Sequence, residues 1–213
     1  MGYDLYVVTD EKIGRGRSHA ELARQAVAGG ADVVQLRDKN LSGRDLFTAA
    51  LAIREITLEA GALFIVNDRL DVALASGADG VHLGAGDLPI REARRIAPPG
   101  FIIGASVGSA ATAVSAAAEG ADYVALSPTF ATNSKSDAGP GHGLMKLAEI
   151  RTAVSLPLVA IGGITPANVA DVIAAGADGI AVISAVVAQD DVAAAARDLR
   201  SRIAAAKANP VLR

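Results

Sequence analysis

The chain has 213 residues, 51% of them hydrophobic but only 3% aromatic, and a formal net charge of −3. That length suits one large core and a single domain spanning 1–213. The acidic balance argues against nucleic-acid binding, and the absence of cysteine excludes disulfides and thiolate metal sites.

Charge or glycine interrupts every apolar run before it reaches the length of a membrane span. The start, Met1-Gly2-Tyr3-Asp4, has no basic stretch ahead of an apolar one. A cytoplasmic protein without a signal peptide is therefore expected.

The first strand is read over 4–9 (DLYVVT). Ser18-His19-Ala20-Glu21 has capping-box spacing, which starts a helix that runs to Ala28 and is ended by Gly29-Gly30. The second strand covers 33–38. Ser42 caps a long helix, apolar at Leu46, Ala49, Ala50 and Ile53, which Gly61 stops. A third strand follows over 63–68, then a short helix over 70–75. The fourth strand is 80–83, and Pro89 suits the first turn of a helix reaching Ile96. The fifth strand is 101–106, with a helix over 109–119, and the sixth strand is 123–127. A polar loop, 128–143, is long enough to suggest a functional role. A helix over 144–154 leads to a seventh strand at 157–161, ending in Gly162-Gly163. Thr165-Pro166 begins a helix to Ala175, the eighth strand is 179–183, and an Ala-rich helix over 190–207 closes the chain, its last residues frayed.

Eight strands thus alternate with about eight helices, and the strands are apolar throughout, as in a parallel sheet covered on both faces. Gly-Ala-Asp recurs at Gly30, Gly77, Gly120 and Gly176, each time between a helix and an even-numbered strand. The copies stand about two β–α units apart, the rhythm of a (βα)8 TIM barrel. Their aspartates are expected at the bottom of the barrel, in a stability role. A doubly wound open sheet is the alternative, but Thr9-Asp10-Glu11 stands where its glycine-rich fingerprint belongs.

Barrel chemistry is assembled from the C-terminal strand ends. Those ends carry Gln35, Arg37 and Lys39; Asn67 and Asp68; His82 and Asp87; Ser106; Thr132, Ser134 and Lys135; Gly162-Gly163; and Ser184. If the second strand persists to Lys39, then Gln35, Arg37 and Lys39 share one face. An amide and two cations suit a polyanion with a hydrogen-bonding ring; a surface salt-bridge cluster with Asp38, Glu11 or Asp45 is the plainer alternative. Asp68 and Asp87, on neighbouring strand ends, suit Mg²⁺ held together with substrate phosphates; otherwise Asp68 is a helix cap and Asp87 a turn residue. Arg37, Lys39 and Lys135 would neutralise a pyrophosphate. Gly162-Gly163 with Ile183-Ser184 suits a phosphate monoester bound by backbone N–H groups, or else marks ordinary turns. His82 reads as a residue that packs or hydrogen-bonds at its strand end, His142 as a solvated loop residue or a proton carrier, and His19 as part of a helix start.

The runs Tyr6-Val7-Val8-Thr9-Asp10, Gln35-Leu36-Arg37-Asp38-Lys39, Asn67-Asp68-Arg69, His82-Leu83-Gly84, Thr132-Asn133-Ser134-Lys135, Ile161-Gly162-Gly163-Ile164 and Val182-Ile183-Ser184 together resemble the thiamine-phosphate synthase family. The resemblance extends from about Tyr3 to Ala206. It implies a (βα)8 barrel that joins a hydroxymethylpyrimidine pyrophosphate to a thiazole phosphate, with Mg²⁺, giving thiamine phosphate and pyrophosphate. By position it implies a pyrimidine-pyrophosphate site at Gln35, Leu36, Arg37, Asp38, Lys39, Asn67, Ser106 and Lys135. Asp68 and Asp87 match its magnesium ligands. Thr132, Asn133, Ser134, Gly163, Ile183 and Ser184 match its thiazole-phosphate site. Arg37, Lys39, Lys135 and Ser106 carry the catalytic assignment.

The chain departs from the family pattern at Ala85, where a glutamine is usual, and at Ala131-Thr132-Asn133-Ser134-Lys135, where Pro-Thr often precedes a second Thr and the Lys. Its partners are expected to be small phosphorylated substrates, with no nucleic acid and no membrane, and a homo-oligomer stays open. The alternatives are a thiazole tautomerase-like isomerase of the same superfamily with His142 as base, a non-catalytic thiamine-phosphate binder, and a generic phosphosugar barrel enzyme.

Overall fold

A computed structural model describes residues 2–132 and 140–209. Eight parallel strands close into a barrel in chain order: β1 (Leu5–Thr9), β2 (Val33–Leu36), β3 (Leu63–Asn67), β4 (Gly80–Leu83), β5 (Ile102–Val107), β6 (Tyr123–Leu126), β7 (Leu158–Ile161) and β8 (Gly179–Val182), with β8 pairing back onto β1. Around them run α1 (His19–Ala28), α2 (Gly43–Ala60), α3 (Leu70–Ala75), α4 (Ile90–Ile96), α5 (Ala110–Glu119), α6 (Gly143–Ala153), α7 (Val169–Ala174), α8 (Ser184–Val187) and α9 (Val192–Ala208). Nearly every strand residue is buried, because one face packs into the barrel and the other beneath the helices. No helix among the described residues is long and apolar enough to cross a membrane.

Local chemistry sets the helix starts. Ser18 and Glu21 form a full capping box on α1, Ser42 Oγ accepts from Asp45 N–H on α2, and Ser109 pairs with Thr112 on α5. Three expectations need correction. The second strand stops at Leu36, so Arg37 and Lys39 lie in the following loop and do not share a strand face with Gln35. The seventh helix starts at Val169, after a turn in which Thr165 N–H donates to Asn168 Oδ1. The eighth strand ends at Val182, and a four-residue helix, α8, follows at once.

The Gly-Ala-Asp repeat has a structural basis. In each copy one carboxylate oxygen accepts the N–H of the first or second residue of an odd-numbered strand and pairs with a helix arginine. Asp32 Oδ2 takes Leu5 N–H at 2.9 Å and Arg200 at 2.7 Å. Asp79 Oδ2 takes Phe64 N–H at 2.7 Å and Arg54 at 2.9 Å. Asp122 binds Ile103 N–H and Arg94, and Asp178 binds Leu158 N–H and Arg151. These four clips lie at the N-terminal end of the barrel, away from the strand ends that carry chemistry. Replacing Asp79 by alanine strands the buried N–H of Phe64, so urea unfolding is expected to show a loss of about 2 kcal/mol. Turnover of the folded fraction should be unchanged, and a lost turnover would move Asp79 out of a purely structural role.

Candidate active site

Two cavities open at the C-terminal end of the barrel. The first, of 520 Å³, is lined by Arg37, Lys39, Asn67, Asp68, Asp87 and Ser106 together with His82 and the Gly84–Gly86 loop. The second, of 560 Å³, is lined by Thr132, Gly162, Gly163, Ile183 and Ser184 among others. Ser127 and Pro128, at the end of β6, line both.

In the first cavity Asp68 closes β3. Its N–H extends the ladder to His82 C=O at 2.9 Å, yet its φ of 62° lies in the left-handed region, which aspartate tolerates better than most residues. It is not a helix cap: α3 begins behind Arg69 and has no side-chain cap bond. Burial, a hydrogen bond to Asp87 and the Asp87 charge push the Asp68 carboxyl up to about 6, against the pull of Lys39 and Arg37. Asp87 is held in turn by Gly84 N–H, 2.7 Å from its Oδ2.

Two half-buried carboxylates facing each other beside two cations suit a divalent cation. Among the described residues no group of three or more His, Cys, Asp or Glu could hold a metal.

Arg37 is mostly buried, and its ion pair to Asp10 is long, at 3.9 Å. Asp38 stands between the two cations but turns away from the cavity: its Oδ1 accepts Asn40 N–H at 2.7 Å and Leu41 N–H at 3.0 Å, folding its own loop. Burial alone would raise the Asp38 carboxyl, but these two N–H groups and His19 bring it below the usual carboxylate range. Leu36 is fully buried and lines neither cavity.

Gln35 lies deeper, at the floor of the barrel mouth. Its Nε2 donates to Tyr6 Oη at 2.7 Å, and Tyr6 Oη and Tyr123 Oη are 3.0 Å apart. His82 Nδ1 is 2.9 Å from Tyr123 Oη, and His82 Nε2 is 2.9 Å from Ser106 Oγ. A continuous polar chain thus links Gln35 to Ser106 through the barrel interior. Burial drives both tyrosine hydroxyls far above their ordinary range, so they remain neutral donors. The sequence reading missed Tyr6 and Tyr123. Their signal was present: in a chain so poor in aromatics, a tyrosine inside a barrel strand needs a hydrogen-bond partner.

In the second cavity, Gly162 and Gly163 have φ of 100° and 65°. A Cβ on Gly162 would stand 2.7 Å from Pro128 Cβ, and one on Gly163 2.7 Å from Ala131 O. Both glycines are therefore needed for the close approach of the segment after β6, which is pinned by Thr129 N–H to Ile161 C=O at 2.7 Å and Phe130 N–H to Gly162 C=O at 3.0 Å. Asn133, Ser134 and Lys135 lie outside the described residues. His142 occupies the N-cap position of α6 without a capping bond and lines neither cavity.

A family model described as thiamine monophosphate synthase matches residues 5–186. A thiamine-phosphate synthase of Methanoculleus marisnigri is 81% identical over 98% of this chain and 99% of its own length. One from Methanoregula boonei is 66% identical over 97% and 96%. Among solved structures, a thiamine phosphate pyrophosphorylase from Pyrococcus furiosus superposes with a TM-score of 0.89 at 44% identity, covering 96% of each chain.

Proposed function

The chain belongs to the thiamine monophosphate synthase family and is an enzyme of the transferase class, and from that premise we propose that it couples a hydroxymethylpyrimidine pyrophosphate to a thiazole phosphate. The products are thiamine phosphate and pyrophosphate. The observation that carries this reading is the shared wall: the cationic, carboxylate-bearing cavity and the glycine-lined one meet at Ser127 and Pro128. Two anionic ligands seated there would bring their uncharged ends together.

Arg37 and Lys39 bind the pyrophosphate, Arg37 through its planar fork and Lys39 as a point charge. Lys135, assigned from the sequence, adds a third cation. Asp68 and Asp87 would hold Mg²⁺, which supplies further positive charge to the leaving group. Gln35 and Ser106 orient the pyrimidine: the Tyr6 contact fixes the Gln35 amide, and the His82 contact fixes the Ser106 hydroxyl. Thr132, Gly163, Ile183 and Ser184, with Asn133 and Ser134, hold the thiazole phosphate. The carbon–oxygen bond to pyrophosphate breaks first, and the thiazole nitrogen then attacks the pyrimidine methylene. The protein's contribution is positioning and charge.

The test is pyrophosphate release by the purified protein, given the pyrimidine pyrophosphate with or without thiazole phosphate, in Mg²⁺ or in EDTA. Release accompanied by thiamine phosphate, needing both substrates and abolished by EDTA, is expected. Magnesium-independent rearrangement of a thiazole would point to an isomerase. Tight binding of thiamine phosphate with no pyrophosphate formed would point to a binding protein.

A further inference from the structure

The capping box at Ser18 makes His19 the first residue of α1, where a polar side chain ordinarily faces water. Here the imidazole is only 1% exposed. Its Nδ1 lies 2.7 Å from Thr9 Oγ1, at the end of β1, and its Nε2 lies 3.4 Å from Asp38 Oδ2. Its own N–H donates to Glu11 Oε1 at 3.1 Å. The ring is thus a strut from the end of β1 to the residue that separates Arg37 from Lys39. None of the steps above uses it.

We propose that His19 is a positioning residue for the pyrophosphate-binding loop. It acts through Asp38, aiming Arg37 and Lys39 into the first cavity. The inference rests on the reading that those two cations bind the pyrophosphate.

The loop after β2 has no strand pairing beyond Leu36. Asp38 is what folds it, and its two carboxylate oxygens do different work. Oδ1 takes the N–H groups of Asn40 and Leu41, which closes the turn on itself. Oδ2 takes His19, which ties that turn to the barrel. Without the second contact the turn keeps its internal shape but loses its anchor.

Thr9 Oγ1 donates to Gln35 C=O at 3.2 Å and then accepts from His19 Nδ1–H. An Nε2 proton toward Asp38 makes that ring an imidazolium. If the Thr9 hydroxyl turns to Nδ1 instead, a neutral ring carries its one proton on Nε2. In both arrangements Nε2–H donates to Asp38. In both arrangements the ring braces the cation-bearing turn; in the first it also supports, through Thr9, the carbonyl of Gln35.

The side-chain amides of glutamine and asparagine separate these contacts. Glutamine places its amide nitrogen where Nε2 stands, and asparagine places its own where Nδ1 stands. Calorimetry with inorganic pyrophosphate and Mg²⁺ as the probe is the experiment, run beside calorimetry with the thiazole phosphate. His19→Ala and His19→Asn are expected to weaken pyrophosphate binding about tenfold. His19→Gln should recover most of that loss, and thiazole-phosphate binding should be unchanged in all three.

A purely structural histidine would lower the melting temperature without separating the two ligands, and equal weakening of both ligands would overturn the proposal. If His19→Ala does not fold, Asp38→Asn removes the anchoring charge while keeping an acceptor for Asn40 and Leu41, and the same selective loss is expected. Arg37→Ala is the control. Pyrophosphate binding lost in Arg37→Ala but intact in His19→Ala overturns the positioning role alone. Binding intact in both overturns the pyrophosphate assignment, and the inference built on it.

Discussion

Replacing Arg37 by alanine is expected to slow single-turnover pyrophosphate release by roughly two to three orders of magnitude. The expectation follows from where the side chain sits and what else it touches. It lines the first cavity and is 11% exposed, so a ligand there meets the guanidinium with little intervening water. Among the described residues its only ion pair is the long one to Asp10. A guanidinium has five N–H donors in a rigid fork, and a weak partner at 3.9 Å leaves that fork available to phosphate oxygens. In a bond cleavage that leaves a pyrophosphate, negative charge grows on the leaving group, and a cation fixed in a poorly hydrated site stabilises that growth most. The loss should therefore fall on kcat as well as on KM. Arg37→Lys keeps the charge but not the fork, so it is expected to fall between the wild type and the alanine variant. Full activity in Arg37→Ala would remove this residue from the reaction.

The barrel was legible because its signals are local and repeated. Apolar β-branched strands, the Ser18 and Ser42 caps and the four Gly-Ala-Asp steps each mark one unit, and eight such units close only one way. What escaped depends on partners distant in sequence. The short helix α8 was not foreseen and the eighth strand stops one residue early, because β8 has no ladder partner on β1 beyond Val182. Asp38 reads as part of a ligand-binding run, and nothing in the sequence signals that its Oδ2 meets His19 from the start of α1. His19 gave no sign of its role, since Thr9 and Asp38 are brought to it only by the packing of α1 across β1 and β2. Asp68 and Asp87, which the sequence placed on neighbouring strand ends, do meet in one cavity, because such ends in a parallel barrel lie side by side.

The interior polar chain is built around a missing Cβ, and this sets the second large effect. Gly104 on β5 is the register partner of Tyr123 on β6, and the tyrosine ring lies across it. A Cβ on Gly104 would fall inside the contact distance of Tyr123 Cζ, Oη and Cε1. The ring cannot yield easily: it is fully buried and tied through its hydroxyl to Tyr6 and His82. Gly104→Ala is therefore expected to destabilise the fold by about 3 kcal/mol. Tyr123→Ala alone should cost a similar amount, through the cavity it leaves and the polar partners it strands. In the double variant the added methyl enters space the ring has vacated, so the two losses should not add. The coupling between them is expected to reach about 3 kcal/mol, readable as a double-mutant cycle in urea melts. Simple additivity would mean that the ring does not rest on Gly104. The orientation of the Gln35 amide, which depends on the same ring through Tyr6, would then need another support.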